Sequence, residues 1–236
     1  PVAYSMDGYY FLKFNLAYAA IHPLTQEEFL TKYPFLVVFH EKGELIEFRF
    51  DVLKRVFLSD KKEPTIYSNL IAEMSDYFKE HFACDLIPLN LDFMVNVCKR
   101  DENVKLIAQS MKLPNGGNAQ LDVGNNQEYI LPFIGELRSL LNDNQAELEK
   151  VPDFREALEQ FMFEMEEMSD YPWIELLWEN EIKTRSNRVK FVFNYMNKSY
   201  CLIQYYYSNV LIGMERMNYV IEYIVNHRND DTTQNE

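Results

Sequence analysis

The sequence is poor in the residues that mark disulfide-rich, fibrous or low-complexity proteins. Its 236 residues include three cysteines, seven glycines and nine prolines. An odd number of widely spaced cysteines without a CxxC pair argues against a disulfide framework and a zinc cluster. The scarcity of glycine and proline excludes a fibrous chain, and 47% hydrophobic residues exclude a disordered one. We therefore expect a globular protein whose thiols are reduced and buried.

Long hydrophobic runs are also missing. No stretch reaches the roughly 18 apolar residues that a membrane-spanning helix requires. No basic segment followed by a short apolar segment opens the chain, so the sequence indicates no signal peptide. Both absences predict a cytoplasmic protein that does not bind a membrane.

Recognisable catalytic motifs are absent as well. The four histidines, at positions 22, 40, 81 and 227, form neither an HExxH nor an HxH pair. There is no GxSxG sequence, and the glycine-rich segment 115–118 lacks the lysine of a phosphate-binding loop. No acidic loop has the residue order of a calcium site. The sequence therefore favours a protein that is not an enzyme and that needs no metal or cofactor.

The first half of the chain contains both strand and helix patterns. Residues 9–20 are rich in aromatic and aliphatic residues and predict a strand, and residues 35–50 predict a β-hairpin around Gly43. The capping box Thr25–Glu28 predicts a short helix over 25–33. We also expect helices over 51–58, 65–82, 91–98 and 104–111.

The second half is expected to be mainly helical. Apolar residues at helical spacing predict helices over 130–141, 153–168 and 210–225. Residues 188–207 predict a second hairpin, with one continuous helix as the alternative. The predicted fold class is α+β and mostly helical. It has N-terminal strands and a hairpin with helices, followed by an acidic helical segment, a second hairpin and a C-terminal helix.

Composition divides the chain into four parts. Residues 1–113 form an α+β part, and residues 114–127, which are rich in glycine and asparagine, form a loop or linker. Residues 128–228 form an acidic helical and hairpin part. The polar residues 229–236 are expected to be a disordered tail.

Charge is strongly segregated along the chain. The formal net charge is −14, which excludes binding to a nucleic-acid duplex by general charge attraction. Residues 128–181 contain fifteen acidic and three basic residues, whereas residues 182–228 contain two acidic and seven basic residues. The acidic residues can line the solvent side of helices, or they can steer a protein with a basic surface.

The favoured hypothesis is a non-enzymatic acidic protein that acts by binding another protein. Glu159, Glu166 and Glu167 are the predicted contact residues. The composition resembles that of inhibitor, immunity or accessory proteins of microbial conflict systems, which is a comparison of composition alone.

Two alternatives stay open. Asp170, Glu181 and Lys183 have the residue types of a PD-(D/E)xK nuclease, in which an Asp and a Glu hold Mg²⁺ and a nearby Lys polarises the attacking water. Arg185, Arg188 and Lys190, in the basic segment 183–190, could instead hold the phosphates of a nucleic acid in a regulatory protein. The competing reading of that segment is a solvated edge strand.

The C-terminal helix has an unusually wide apolar surface over residues 209–226. A helix that is apolar on most sides is either buried deeply or packed against another chain. Tyrosine and methionine are enriched at such interfaces. The sequence therefore predicts a homo-oligomer formed through this helix.

Overall fold

The computed structural model describes residues 1–22, 24–52, 63–113, 116–123, 134–179, 186–206 and 214–228. The chain divides into two compact units, Pro1–Ile87 and Pro88–Glu236. Of the residues that the structure describes, 39% are helical and 37% are in strands, which form one antiparallel sheet of four strands and another of five. The prediction of a mostly helical α+β fold is therefore wrong, because strand pairing forms nearly as much of the chain as helix does.

The first unit contains a meander of four antiparallel strands in the order β1-β2-β3-β4. Their bounds are β1 Val2–Met6, β2 Tyr9–Ile21, β3 Glu28–His40 and β4 Leu45–Phe50. Asp7 and Gly8 join β1 to β2 and both have positive φ, which is typical of a two-residue type I′ hairpin turn. The predicted strand over 9–20 and the predicted hairpin over 35–50 are confirmed.

The predicted helix over 25–33 is wrong, since residues 28–40 form β3. Twelve residues of β3 pair with β2, from Ile21 opposite Glu28 to Tyr10 opposite Phe39. The capping-box residues instead form the connecting turn, where the N–H of Glu27 donates to the Thr25 hydroxyl over 3.4 Å. A long antiparallel ladder therefore overrides a local helix-start signal.

One face of this sheet is covered by helix α1, Glu63–Phe82, which confirms the helix predicted over 65–82. Aromatic rings join the two layers. The ring centroids of Phe14 and Tyr77 lie 5.1 Å apart, and those of Phe50 and Tyr67 lie 5.4 Å apart. Phe35, in the middle of β3, is completely buried. The predicted helix over 51–58 falls mostly outside the described residues.

The second unit contains a five-stranded antiparallel sheet in the order β6-β5-β7-β8-β9. Their bounds are β5 Val104–Lys112, β6 Asn118–Asp122, β7 Asp170–Trp178, β8 Asn187–Val192 and β9 Leu202–Tyr205. The helix predicted over 104–111 is wrong, because this segment pairs with a strand on each side. The pairing of β8 with β9 confirms the hairpin predicted over 188–207 and excludes the continuous helix.

The second unit also contains the remaining helices, α2 Met94–Arg100, α3 Ile134–Asp143, α4 Gln145–Leu148, α5 Pro152–Glu167 and α6 Met214–His227. The helices predicted over 91–98 and 153–168 correspond to α2 and α5 with shifted ends. Those predicted over 130–141 and 210–225 correspond to α3 and α6, and their first four predicted residues lie outside the described residues. The segment 114–127 lies inside this unit, and β6 occupies part of it. The tail 229–236 lies outside the described residues.

The core of the second unit lies between the sheet and helices that include α6. Ile174 on the central strand β7 and Phe191 on the neighbouring strand β8 are completely buried, as is Val220 of α6. The ring of Trp178 meets that of Tyr223 edge to face at 5.4 Å. Among the helices described, none has both the length and the apolar character needed to cross a membrane.

Candidate protein-binding surface

Helix α5 provides the most exposed apolar surface of the acidic segment. It begins at Pro152, where a fixed φ and the missing N–H suit the first turn of a helix, and Asp153 places a negative charge near the helix N-terminus. After the helix, the N–H of Met168 donates to the Glu164 carbonyl over 3.1 Å. The sequence therefore contains its own start signals, and the predicted helix is confirmed.

The apolar stripe of α5 is buried along one side only. Met162 is 7% exposed, and Leu158 and Met165 beside it are half-buried. Phe154 and Phe161, in contrast, are 60% and 40% exposed. A helical repeat of 3.6 residues places Phe154, Ala157, Phe161 and Met168 along one line, which we call the apolar strip. The sequence predicts a single stripe, whereas the structure divides it into a covered half and an exposed half.

Two carboxylates border the exposed half. Asp153 and Glu164 lie three or four residues from Ala157 or Phe161 along the helix and therefore adjoin the apolar strip. Both are exposed, and the Gln160 amide donates to Glu164 Oε1 over 2.9 Å. We call Asp153 and Glu164 the acidic flank. The apolar strip and the acidic flank together offer an apolar surface with negative charge along one edge. This combination suits a partner with both apolar and basic groups.

The predicted contact residues lie elsewhere on the helix. Glu159 is on the side away from the acidic flank, and its Oε1 accepts a hydrogen bond from Arg155 Nε over 2.7 Å. Glu166 and Glu167 belong to the last turn of α5, and their side chains lie outside the described part of the structure. The role of these three residues in binding stays a prediction.

The nuclease residues are only partly described. Asp170 is exposed at the first position of β7, where it pairs in register with Lys112. Glu181 and Lys183 lie outside the described residues. In the part of the chain that the structure describes, no three or more His, Cys, Asp or Glu side chains form a group able to hold a metal ion. The proposed nuclease centre, with its Mg²⁺, stays a prediction.

The basic segment is engaged with neighbouring side chains where it is described. Arg188 Nε donates to Glu175 Oε1, and the guanidinium lies 5.0 Å from the centroid of the Tyr206 ring. Lys190 Nζ lies 3.6 Å from the centroid of the Trp173 ring. Arg185 lies outside the described residues. A nucleic acid bound here would have to compete with these contacts, and its binding stays a prediction.

Glu175 is a buried charge that sequence reasoning missed. It lies on central strand β7 opposite Lys190 and is almost inaccessible to solvent. Burial lowers the pKa of Lys190, and the negative charge of Glu175 partly opposes this. Burial also raises the pKa of Tyr206, and Glu175 adds to that rise. Glu175 therefore acts as the local counter-charge of the basic strand β8, and only its position inside the apolar run 173–178 could have suggested this.

A polar cavity of about 630 Å³ lies in the second unit, and sequence reasoning did not find it either. It is lined by residues from the α2–β5 turn, the end of β7 and α6: Asp101, Glu102, Asn103, Lys105, Glu179, Tyr219, Tyr223 and His227. Lys105 Nζ donates to Glu179 Oε2 over 2.7 Å. The volume of this cavity is within the range of small-molecule pockets, although its walls are more polar than is usual.

Asp101 is the most firmly held group in this cavity. The Tyr223 hydroxyl donates to Asp101 Oδ2 over 2.7 Å, and the backbone N–H of Asn103 donates to Oδ1 over 2.9 Å. Burial alone would raise the pKa of Asp101, but these hydrogen bonds lower it below its ordinary value. Burial raises the pKa of the Tyr223 hydroxyl, and its hydrogen bond to the Asp101 carboxylate raises it further. At neutral pH the cavity therefore presents a fixed carboxylate and a neutral phenol.

Helix α6 uses much of its apolar surface inside its own unit. Val220, Ile221 and Ile224 are buried, while Tyr219 is half-exposed. The Asn187 amide of β8 donates to the carbonyl oxygen of Arg216 over 3.1 Å, which fixes the start of the helix against the sheet. Residues 209–213 lie outside the described residues. The homo-oligomer predicted through 209–226 stays a prediction.

No protein-family model, no curated protein and no solved structure matches the chain. Its function must therefore be argued from its own surfaces.

Proposed function

We propose that the chain is a non-enzymatic protein-binding module that contacts its partner through the exposed side of α5. The observation that carries this proposal is the exposure of Phe154 and Phe161, at 60% and 40%, on the same line of one helix. Large apolar side chains exposed together on one surface are typical of interaction sites. Phenylalanine and methionine, which form most of the apolar strip, are both enriched at protein interfaces.

The energy available from this strip is substantial. A phenylalanine buries about 150–250 Å² when it is fully covered, so the exposed parts of Phe154 and Phe161 together offer roughly 200 Å². At about 25 cal/mol per Å², covering both rings contributes about 5 kcal/mol. This is comparable with the lower estimates of the entropic cost of association, about 4 kcal/mol. Further contacts must supply the net affinity, and the acidic flank offers them.

Affinity capture with the full chain tests the proposal, and α5 contains its own control. Phe163 is 57% exposed on the same helix but points away from the apolar strip. Glutamine is a good helix former, so substitutions to it should preserve α5. We expect the combined Phe154→Gln and Phe161→Gln variant to lose a partner that the Phe163→Gln variant retains from the source cell. Equal recovery by both variants would contradict the proposed surface.

A further inference from the structure

The apolar strip and its acidic flank also define the chemistry of the partner, if the proposed function holds. We infer that the partner segment is a basic amphipathic helix that lies along α5. The inference rests on the shape of the strip, the charge beside it and the position of the one basic residue in this helix.

The shape of the strip favours a helix as its occupant. Phe154, Ala157, Phe161 and Met168 form a single narrow line along the helix axis, roughly 21 Å from the first to the last at 1.5 Å per residue. A line of this kind complements the apolar stripe of a second helix, whose residues at i, i+3, i+4 and i+7 fall on one face. The small side chain of Ala157 between two phenylalanines leaves space for a side chain of the partner.

The charge of α5 favours a basic partner. Residues 152–167 contain six acidic residues and one basic residue. That basic residue, Arg155, is hydrogen-bonded to Glu159 and lies on the side of the helix away from the acidic flank. Lysine or arginine residues beside the partner's apolar stripe would meet Asp153 and Glu164. An acidic partner would instead place like charges together, which opposes binding.

Three model peptides of about 14 residues, long enough for roughly four helical turns, separate the components of this inference. The first contains Leu and Lys at helical spacing, and the second has the same composition in strict alternation, which favours a strand. The third replaces each Lys of the first by Gln. Fluorescence anisotropy of labelled peptide, titrated with the full chain at two salt concentrations, gives the affinity of each.

We expect the helical Leu/Lys peptide to bind at least about tenfold more tightly than either of the others. The combined Phe154→Gln and Phe161→Gln variant should weaken its binding by about tenfold or more, and Phe163→Gln should leave it within about twofold. The combined Asp153→Asn and Glu164→Gln variant should weaken it more than Glu159→Gln does. Raising the salt concentration should reduce the affinity.

Three results would overturn the inference in different ways. Equal binding of the helical and alternating Leu/Lys peptides would show general attraction to an acidic protein rather than recognition of a helix. Equally tight binding of the Leu/Gln helix, still sensitive to Phe154→Gln and Phe161→Gln, would exclude a basic partner but leave the protein-binding surface intact. Binding of the helical Leu/Lys peptide that is insensitive to those substitutions would overturn both the inference and the proposed function.

Discussion

Replacing Glu47 by alanine is expected to destabilise the first unit by about 3–5 kcal/mol, because it breaks a buried network of charges. Glu47 Oε2 accepts hydrogen bonds from Arg49 Nη2 over 2.7 Å and from His40 Nε2 over 2.9 Å. The three side chains lie on the paired strands β3 and β4, and those of His40 and Arg49 are almost fully buried. Removing the carboxylate would take away the negative charge that pairs with the buried Arg49 guanidinium and accepts its hydrogen bond.

Two further variants test whether charge is the cause. Glu47→Gln removes the charge but keeps an oxygen that can accept the Arg49 hydrogen bond, so we expect a smaller loss of stability than for Glu47→Ala. The combined Glu47→Leu and Arg49→Leu variant removes both charges and should lose less stability than Glu47→Ala, because no buried charge is left alone.

The stabilisation by Glu47 should also depend on pH. Burial alone would raise the pKa of Glu47, but the hydrogen bonds from His40 and Arg49 lower it below its ordinary value. A carboxyl group with a lowered pKa stabilises the fold fully above the unfolded pKa, about 4.3 for glutamate, and this stability is lost as the pH falls through the folded pKa. The difference between wild type and Glu47→Gln should therefore be largest above about pH 5 and should shrink in acid.

Native-state hydrogen exchange of the β3 and β4 amides measures these effects in the unit that contains the network. If Glu47→Ala lowered the free energy of exchange at these amides by less than about 1 kcal/mol, the buried charge network would not be a major source of stability. The network also predicts a large coupling energy between Glu47 and Arg49. A combined leucine variant whose loss of stability equals the sum of the losses from Glu47→Leu and Arg49→Leu would contradict it.

Three further predictions concern the second unit. Glu175→Gln should destabilise this unit by about 1.5–3 kcal/mol, whereas Asp170→Asn at an exposed position should change its stability by less than about 0.5 kcal/mol. Urea unfolding followed by tryptophan fluorescence measures both effects, because β7 contains both tryptophans of the chain. Equal effects would contradict the buried pairing of Glu175. Tyr223→Phe should raise the pKa of Asp101 in a carboxyl NMR titration, because it removes a hydrogen bond to the ionised form; an unchanged or lower pKa would argue against that role. Burial raises the pKa of the Cys98 thiol to about 12. Iodoacetamide should therefore modify the half-buried Cys84 well before Cys98 in the native protein, as peptide mass spectrometry can show. Early labelling of Cys98 would contradict its burial.

Elements with long, regular patterns could be predicted from the sequence. Helices α1 and α5 repeat their apolar residues at helical spacing over four turns or more. In the β3–β4 hairpin, an apolar β-rich run precedes Gly43, and Glu47 and Arg49 alternate with apolar residues after it. Asp7-Gly8 is a strong hairpin signal that was available in the sequence and was missed.

The failures arose where distant parts of the chain decide the local structure. β5 lies between two strands and is buried on both faces over most of its length, so it has no alternation of polar and apolar residues to distinguish it from a helix. Residues 28–33 adopt a strand because they pair with β2. Most of the paired residues in this stretch are more than ten positions apart in the sequence. Pairing partners of this kind are not visible in a local pattern.

The candidate surface shows the same limit. The apolar stripe of α5 follows from its spacing, but which half is covered depends on what packs beside Met162. The sequence therefore predicted helix α5, while the structure places Asp153 and Glu164, rather than Glu159, beside the exposed half of its apolar stripe. The charge pairs of Arg188 and Glu175 likewise depend on strand register, which a single sequence does not specify.

Site-specific photo-crosslinking can show which side of α5 meets a basic amphipathic helix. Two variants of the full chain, Phe161→benzoylphenylalanine and Phe163→benzoylphenylalanine, carry the same photoreactive group on the two sides of α5. Each is irradiated with the helical Leu/Lys peptide and analysed by mass spectrometry. We expect efficient crosslinking from position 161 and little from position 163. Equal crosslinking from both positions, or crosslinking from position 163 alone, would contradict it.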